Sequence, residues 1–261
     1  MNKKWNKKGF FFSLLLMFML IMLFSMALVS KEISRQDYEV LESLLLAKKI
    51  RYIESDVATD FLNILNISVN ASKTNFTISN LYLKDYSKNL SLYNDFLKSY
   101  SNHTNIGFVA NVSNEIFINS NLLNFSNTSI FYNDTLNLKG LTIEIKADEL
   151  SSGGIEFTPS DSGAVVVNCV IRNSALIVLY NKTRYLDLNS YNSAFGYSSG
   201  GKNVSLNVSN ARLILNSNAT TTITRITFDF NNDYAYGEVG EISFEEYLGL
   251  VKDSRILLAK G

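Results

Sequence analysis

Lys7-Lys8-Gly9-Phe10-Phe11-Phe12-Ser13 opens a run that contains no charged residue up to Ser30. Lys3, Lys4, Lys7 and Lys8 stand before the run, and Lys31 and Glu32 close it. Residues 10–29, at about 1.5 Å each, make a helix of about 30 Å, which matches the hydrocarbon thickness of a bilayer. A transmembrane helix over 10–29 is therefore expected, with 1–9 as a cytoplasmic basic leader held inside by its lysines. Ser25-Met26-Ala27 also offers the small residues of a signal-peptidase site. The apolar run, however, is longer than the roughly 7–15 residues of a secretory signal core.

Beyond the run, glycine and proline divide the chain. After Gly9 the next glycine is Gly107, and the single proline is Pro159. A long stretch free of both breakers permits helix, and 30–65 is rich in Glu, Lys, Leu and Ala. A helical extracytoplasmic stalk is expected there. Ile33, Val40, Leu41, Leu44 and Leu45 share one face, whereas Leu46, Ile50, Ile53, Val57, Phe61 and Ile64 lie on roughly the opposite one. The sides exchange at Leu44–Leu46, so the rod should meet one partner below that point and its own domain above it. Unbroken from Phe10 to Ile64, it would be about 80 Å long.

Asn66 to Ser79 reads as a connector or first short strand. Leu83, Tyr86, Leu90, Tyr93, Leu97 and Tyr100 then recur at helical spacing and predict a second helix ending near Ser101. From Ile106 the pattern changes to short β-branched and aromatic runs between Asn, Asp, Gly and Ser. Strands are expected at 106–112, 115–119, 129–132, 141–146, 164–171, 175–180, 184–188, 203–208, 211–215, 221–230 and 234–239. Residues 244–259 fit either a short helix or a closing strand. The fold class is α+β: a long N-terminal helix, a second helix, and an antiparallel β-rich ectodomain over 66–261, sandwich or jelly-roll-like. Asn111-Val-Ser-Asn114 and Asn207-Val-Ser-Asn210 begin two similar stretches, which could mark a duplicated β unit, although coincidence is the simpler reading in a chain so rich in Asn and Ser.

Basic and acidic side chains number 24 each, and loss of the four leader lysines would leave a mildly acidic ectodomain. That argues against a nucleic-acid partner. Cys169 is the only cysteine and sits in an apolar run, so it reads as a buried strand residue. Asn-x-Ser/Thr triplets occur at Asn66, Asn70, Asn75, Asn89, Asn102, Asn111, Asn124, Asn127, Asn133, Asn181, Asn203, Asn207 and Asn218, and none lies before residue 60. This is about twice what the Asn and Ser/Thr content alone supplies, and it reads as an outward, N-glycosylated surface.

Little in the sequence points to catalysis, and neither a cofactor nor a metal is expected. The single histidine, His103, lies inside a glycosylation triplet, and zinc-type His/Cys clusters are missing. No glycine-rich stretch has the form of a phosphate loop. Asp229-Phe-Asn231-Asn-Asp233 matches three positions of a calcium loop, but Tyr234 and Gly240 stand where Gly and Glu are needed. A hairpin turn between 226–230 and 234–237 is the simpler reading. Glu238, Glu241, Glu245 and Glu246 leave a carboxylate-dependent surface glycosidase as the weakest alternative.

Lys7-Lys8-Gly9, followed by a wholly apolar helix that starts with phenylalanine, resembles the class III signal of type IV pilins. Lys-Gly-Phe-Phe-Phe-Ser is most similar to archaeal pilin-like proteins. The resemblance covers about the first thirty residues. It implies that a prepilin peptidase cuts between Gly9 and Phe10, and that the apolar helix stays as membrane anchor and filament core. Most bacterial pilins carry Glu as the fifth mature residue, where this chain has Leu14. The implied function is that of a membrane-anchored glycosylated surface protein, a filament or minor pilus subunit with a structural or adhesive role. Its partners would be the lipid bilayer and other pilin-like subunits. The alternative is a monomeric single-pass tethered binding or envelope protein.

Overall fold

The computed structural model describes residues 7–103, 107–133, 137–158, 161–188, 193–231, 234–247 and 250–261. By internal packing the chain forms two units, Met1–Tyr52 and Ile53–Gly261. The first helix, α1, runs over Lys7–Leu65. The second compact unit therefore begins inside the stretch read as a stalk. It takes in the last turns of α1.

Leu46, Ile50, Ile53, Val57, Phe61 and Leu65 are buried, whereas Ile33, Val40, Leu41, Leu44 and Leu45 are all more than half exposed. The exchange of faces at Leu44–Leu46 thus corresponds to a change in burial. At the top of the stripe Leu65 takes the buried position rather than Ile64. The helix ends through Asn66, whose φ of 53° is left-handed. The Asn66 N–H donates to the Asn63 carbonyl and the Ile67 N–H to the Leu62 carbonyl, which satisfies two orphan acceptors of the last turn.

The strands β1 (Ser68–Ala71) and β2 (Asn75–Tyr82) follow, then α2 (Ser87–His103). Asp85 accepts from the Ser87 N–H at the mouth of α2, and hydrogen bonding from the Ser87 side chain together with this N–H lowers the Asp85 pKa. Next come β3 (Phe108–Ile118), β4 (Asn121–Phe125), β5 (Ser129–Asn133), β6 (Leu138–Ala147) and β7 (Ile155–Phe157). They are followed by β8 (Val165–Arg172), β9 (Val178–Leu186), β10 (Ser193–Ser199), β11 (Lys202–Ser209) and β12 (Arg212–Ser217). The last three are β13 (Thr221–Phe230), β14 (Tyr236–Tyr247) and β15 (Leu250–Lys260).

The strands form a six-stranded sheet, β1-β2-β13-β6-β8-β9, and a nine-stranded sheet, β15-β14-β3-β4-β5-β12-β11-β10-β7. Alternate side chains are buried along β6, β8, β12 and β13, as expected when one face of each sheet is covered. Aromatic rings join the inner faces. Tyr132 on β5 lies 4.6 Å from Phe228 on β13, and Tyr180 on β9 lies 6.1 Å from Phe195 on β10. Successive strands pair as hairpins and meanders within one sheet (β3-β4-β5, β10-β11-β12, β14-β15), so the architecture is a sandwich rather than a jelly roll.

Several sequence expectations change. The runs at 106–112 and 115–119 merge into β3, and those at 175–180 and 184–188 merge into β9. Residues 244–259 lie in strands β14 and β15, not in a helix. β6 and β8 pair in parallel, because the chain between them crosses to β7 in the other sheet. The hairpin expected across 226–237 does not form. β13 pairs with β2 and β6, and β14 with β3 and β15, so this link carries the chain from one sheet to the other. The two similar stretches also take different forms, since Asn114 lies within β3 whereas Asn210 sits in the β11–β12 turn.

That turn shows what the sequence conceals. Asn210 and Ala211 have φ of 50° and 59°, and Asn119 and Ser120 between β3 and β4 have 50° and 67°. Two consecutive left-handed residues fit the twist of a tight hairpin and normally call for Asn-Gly. Ala211 carries a Cβ in this conformation, at a cost of about 1–2 kcal/mol. Ala211→Gly is therefore expected to raise stability by up to about 1 kcal/mol once the greater freedom of unfolded glycine is counted. A thermal melt read by circular dichroism checks it.

Candidate functional site

Gly9 and Phe10 lie in the opening turns of α1. From Phe12 to Val29 every large apolar side chain is at least 41% exposed, and the helix is long and apolar enough to cross a membrane. Exposed apolar surface does not stop at Lys31. Ile33, Val40, Leu41, Leu44 and Leu45 extend it beyond the length that a bilayer needs.

None of the thirteen triplet asparagines is buried. Asn66, Asn70, Asn89, Asn102, Asn111, Asn127, Asn181 and Asn218 are exposed; Asn75, Asn124, Asn133, Asn203 and Asn207 are half-buried on strands. The side-chain amides of Asn75, Asn124 and Asn218 are engaged, that of Asn75 with the Thr74 hydroxyl at 3.2 Å. Asn124 Nδ2 donates to Glu115 Oε1 at 2.8 Å. Asn218 accepts from the Asn203 N–H at 2.7 Å and donates to the Gly201 carbonyl at 3.1 Å. Residues 134 and 135, which complete the Asn133 triplet, lie outside the described residues.

The carboxylates divide between different places. Glu238 and Glu241 line one pocket of about 240 Å³ with Phe117, Ser120, Gly240 and Arg255. Glu238 is 7% exposed and pairs with the Arg255 guanidinium at 2.5 Å. Glu245 is elsewhere, packed beside Gly107, and the Glu246 side chain lies outside the described residues. The pocket exists because β14 loses register at one place with both neighbours: with β3 between Glu238 and Gly240, and with β15 between Glu238 and Glu241. Such bulges re-aim side chains. Gly240 is required there, since a Cβ would stand 2.1 Å from the Asn111 carbonyl oxygen.

A second groove of about 320 Å³ lies between the end of α1 and α2. Asp56 and Asp60 line it with Tyr93, Phe96 and Tyr100, whose rings follow one another at 6.0 and 5.7 Å. Tyr93 donates to Asp60 Oδ2 at 2.9 Å, and burial together with this contact and the two carboxylates raises its pKa. Cys169 is fully buried, and burial pushes its thiol up to about 12. The thiol is therefore protonated and inert at neutral pH. His103 is exposed at the end of α2.

No protein-family model, curated protein or solved structure matches the chain.

Among the described residues no group of three His, Cys, Asp or Glu is placed to hold a metal. Asp229 of the calcium-like pattern is the next-to-last residue of β13, while 232 and 233 lie outside the described residues. Sequence reasoning found Glu238 and Glu241 because they are neighbours in the chain. It missed Arg255, Phe117 and Ser120. Those residues reach the pocket only through the β14–β15 and β14–β3 pairings.

Proposed function

We propose that this chain is a membrane-anchored, outward-facing, glycosylated surface subunit of the type IV pilin-like kind. Its leader is removed by a prepilin peptidase between Gly9 and Phe10, and its α1 associates with the same helix of other subunits. The observation that carries the reading is the apolar surface that continues from Val29 through Ile33, Val40, Leu41, Leu44 and Leu45. A bare anchor needs about 20 apolar residues. Exposed leucines beyond that length need a partner. The Lys-Lys-Gly-Phe junction and the placement of thirteen unburied triplets beyond residue 60 support the same reading.

Electron microscopy of material sheared from cells tests it. Filaments labelled by an antibody to the β domain are expected. Leu41→Asp with Leu45→Asp should abolish them while leaving the chain in the membrane fraction. Monomeric membrane protein without filaments would instead support the tethered-protein alternative.

A further inference from the structure

We propose that the pocket between β14, β3 and β15 is a saccharide-binding site that takes one pyranose ring of a neutral or N-acetylated sugar. The inference gives a ligand class to the adhesive role above and does not depend on whether the leader is cleaved.

The lining of the pocket is unusual for the outer face of a sheet. Glu238 is buried to 7% exposure beneath an opening of about 240 Å³, while its partner Arg255 stays 58% exposed. Sinking a carboxylate into a sheet surface costs desolvation, and an apolar residue there would serve the fold as well or better. A second irregular feature occurs at the same residues. β14 breaks register with both neighbours, and Gly240 alone fits against the Asn111 carbonyl. Glycine and bulges together mark places where a strand is bent to present groups.

The groups presented match the chemistry of a sugar. Glu238 and Glu241 bring carboxylate acceptors. Arg255 uses Nη1 on Glu238, and the guanidinium has further N–H donors. Ser120 adds a hydroxyl that is hydrogen-bonded to the Tyr236 hydroxyl at 2.6 Å. Adjacent sugar hydroxyls both donate and accept, so a vicinal pair can give protons to a carboxylate and take them from a guanidinium. Phe117 provides an apolar ring for the C–H face of the pyranose. The lining holds two carboxylates and one guanidinium, and Arg255 is already paired with Glu238, so an anion is repelled by the remaining negative charge of Glu241. A neutral polyhydroxylated ring meets no such repulsion. The volume lies below the roughly 300–1,000 Å³ of drug-sized sites, which limits the occupant to about one ring.

Saturation-transfer NMR on the full chain in lipid nanodiscs tests the site and avoids sugar-headed detergents. The probes are methyl α-mannoside, methyl β-glucoside, N-acetylglucosamine and, as the acidic comparison, glucuronate. At least one neutral probe should receive saturation on its ring protons, and glucuronate should receive none. Glu241→Gln changes an exposed side chain and should weaken the signal at least tenfold with an unchanged thermal melt. Phe117→Leu keeps an apolar residue of similar bulk but no ring, and should reduce transfer to the sugar C–H protons. Absence of transfer from all neutral probes would overturn the proposal. So would transfer that Glu241→Gln and Phe117→Leu leave unchanged, or glucuronate binding as strong as that of the neutral sugars.

Discussion

Phe228→Ala is expected to remove about 3–5 kcal/mol from the β domain, the usual range for a fully buried phenylalanine. Phe228 is 0% exposed on β13, a central strand of the six-stranded sheet, and its ring reaches Tyr132 of the opposing sheet at 4.6 Å. Truncation opens a cavity at the point where the two sheets touch, and neighbours held in two separate hydrogen-bonded sheets relax only partly into it. Domains of this size are stable by about 5–15 kcal/mol in total, so the loss is a large share of the margin. The midpoint of urea unfolding, followed by circular dichroism on the full chain, should fall accordingly. Phe96→Ala serves as the contrast, because Phe96 is 52% exposed on α2 and its removal should cost under about 1 kcal/mol. Equal costs at the two positions would mean that the sandwich core is not where the aromatic contacts place it.

Paired substitution of Leu16 and Leu20 by arginine is expected to release the chain from the membrane fraction. Residues 10–29 contain 13 Leu, Ile, Phe or Val, each favouring insertion by about 0.3–0.6 kcal/mol, whereas a central arginine opposes it by about 2.5–3.5 kcal/mol. One arginine leaves insertion favourable; two on the same helical face, at i and i+4, bring it to about zero or beyond. Carbonate extraction of membranes reads the result, with Leu16→Ala plus Leu20→Ala as the control that should stay embedded. Firm retention of the double-arginine chain would show that something other than the apolar run holds it.

What the sequence made legible follows from the range of each signal. The buried stripe of α1 is local. Spacing alone picks out Leu46, Ile50, Ile53, Val57 and Phe61, and all five are buried. The second helix is visible for the same reason, although Leu83 and Tyr86 lie before its first turn at Ser87. Strand pairing is not local. β13 and β14 are adjacent in sequence with turn residues between them, yet they belong to different sheets, because their partners β2, β6, β3 and β15 lie up to 154 residues away. Phe76 and Ile78 alternate within β2, but the polar residues around them leave the stretch readable as a connector as well as a strand, and the glycine-containing β10 (Ser193–Ser199) shows no β-branched run. The same limit applied to the pocket. Two of its acidic groups are neighbours in the chain, but the arginine, the aromatic ring and the serine arrive from strands and turns that only the register brings together.

The measurement that bears most directly on the proposed anchor and filament role is the mass of the mature N-terminus of the chain purified from its own membrane. A chain that begins at Phe10 is expected, with residues 1–9 removed and the apolar helix kept. A chain that still begins at Met1 or Asn2 would contradict pilin-like processing, and one that begins at Leu28 would remove the anchor itself.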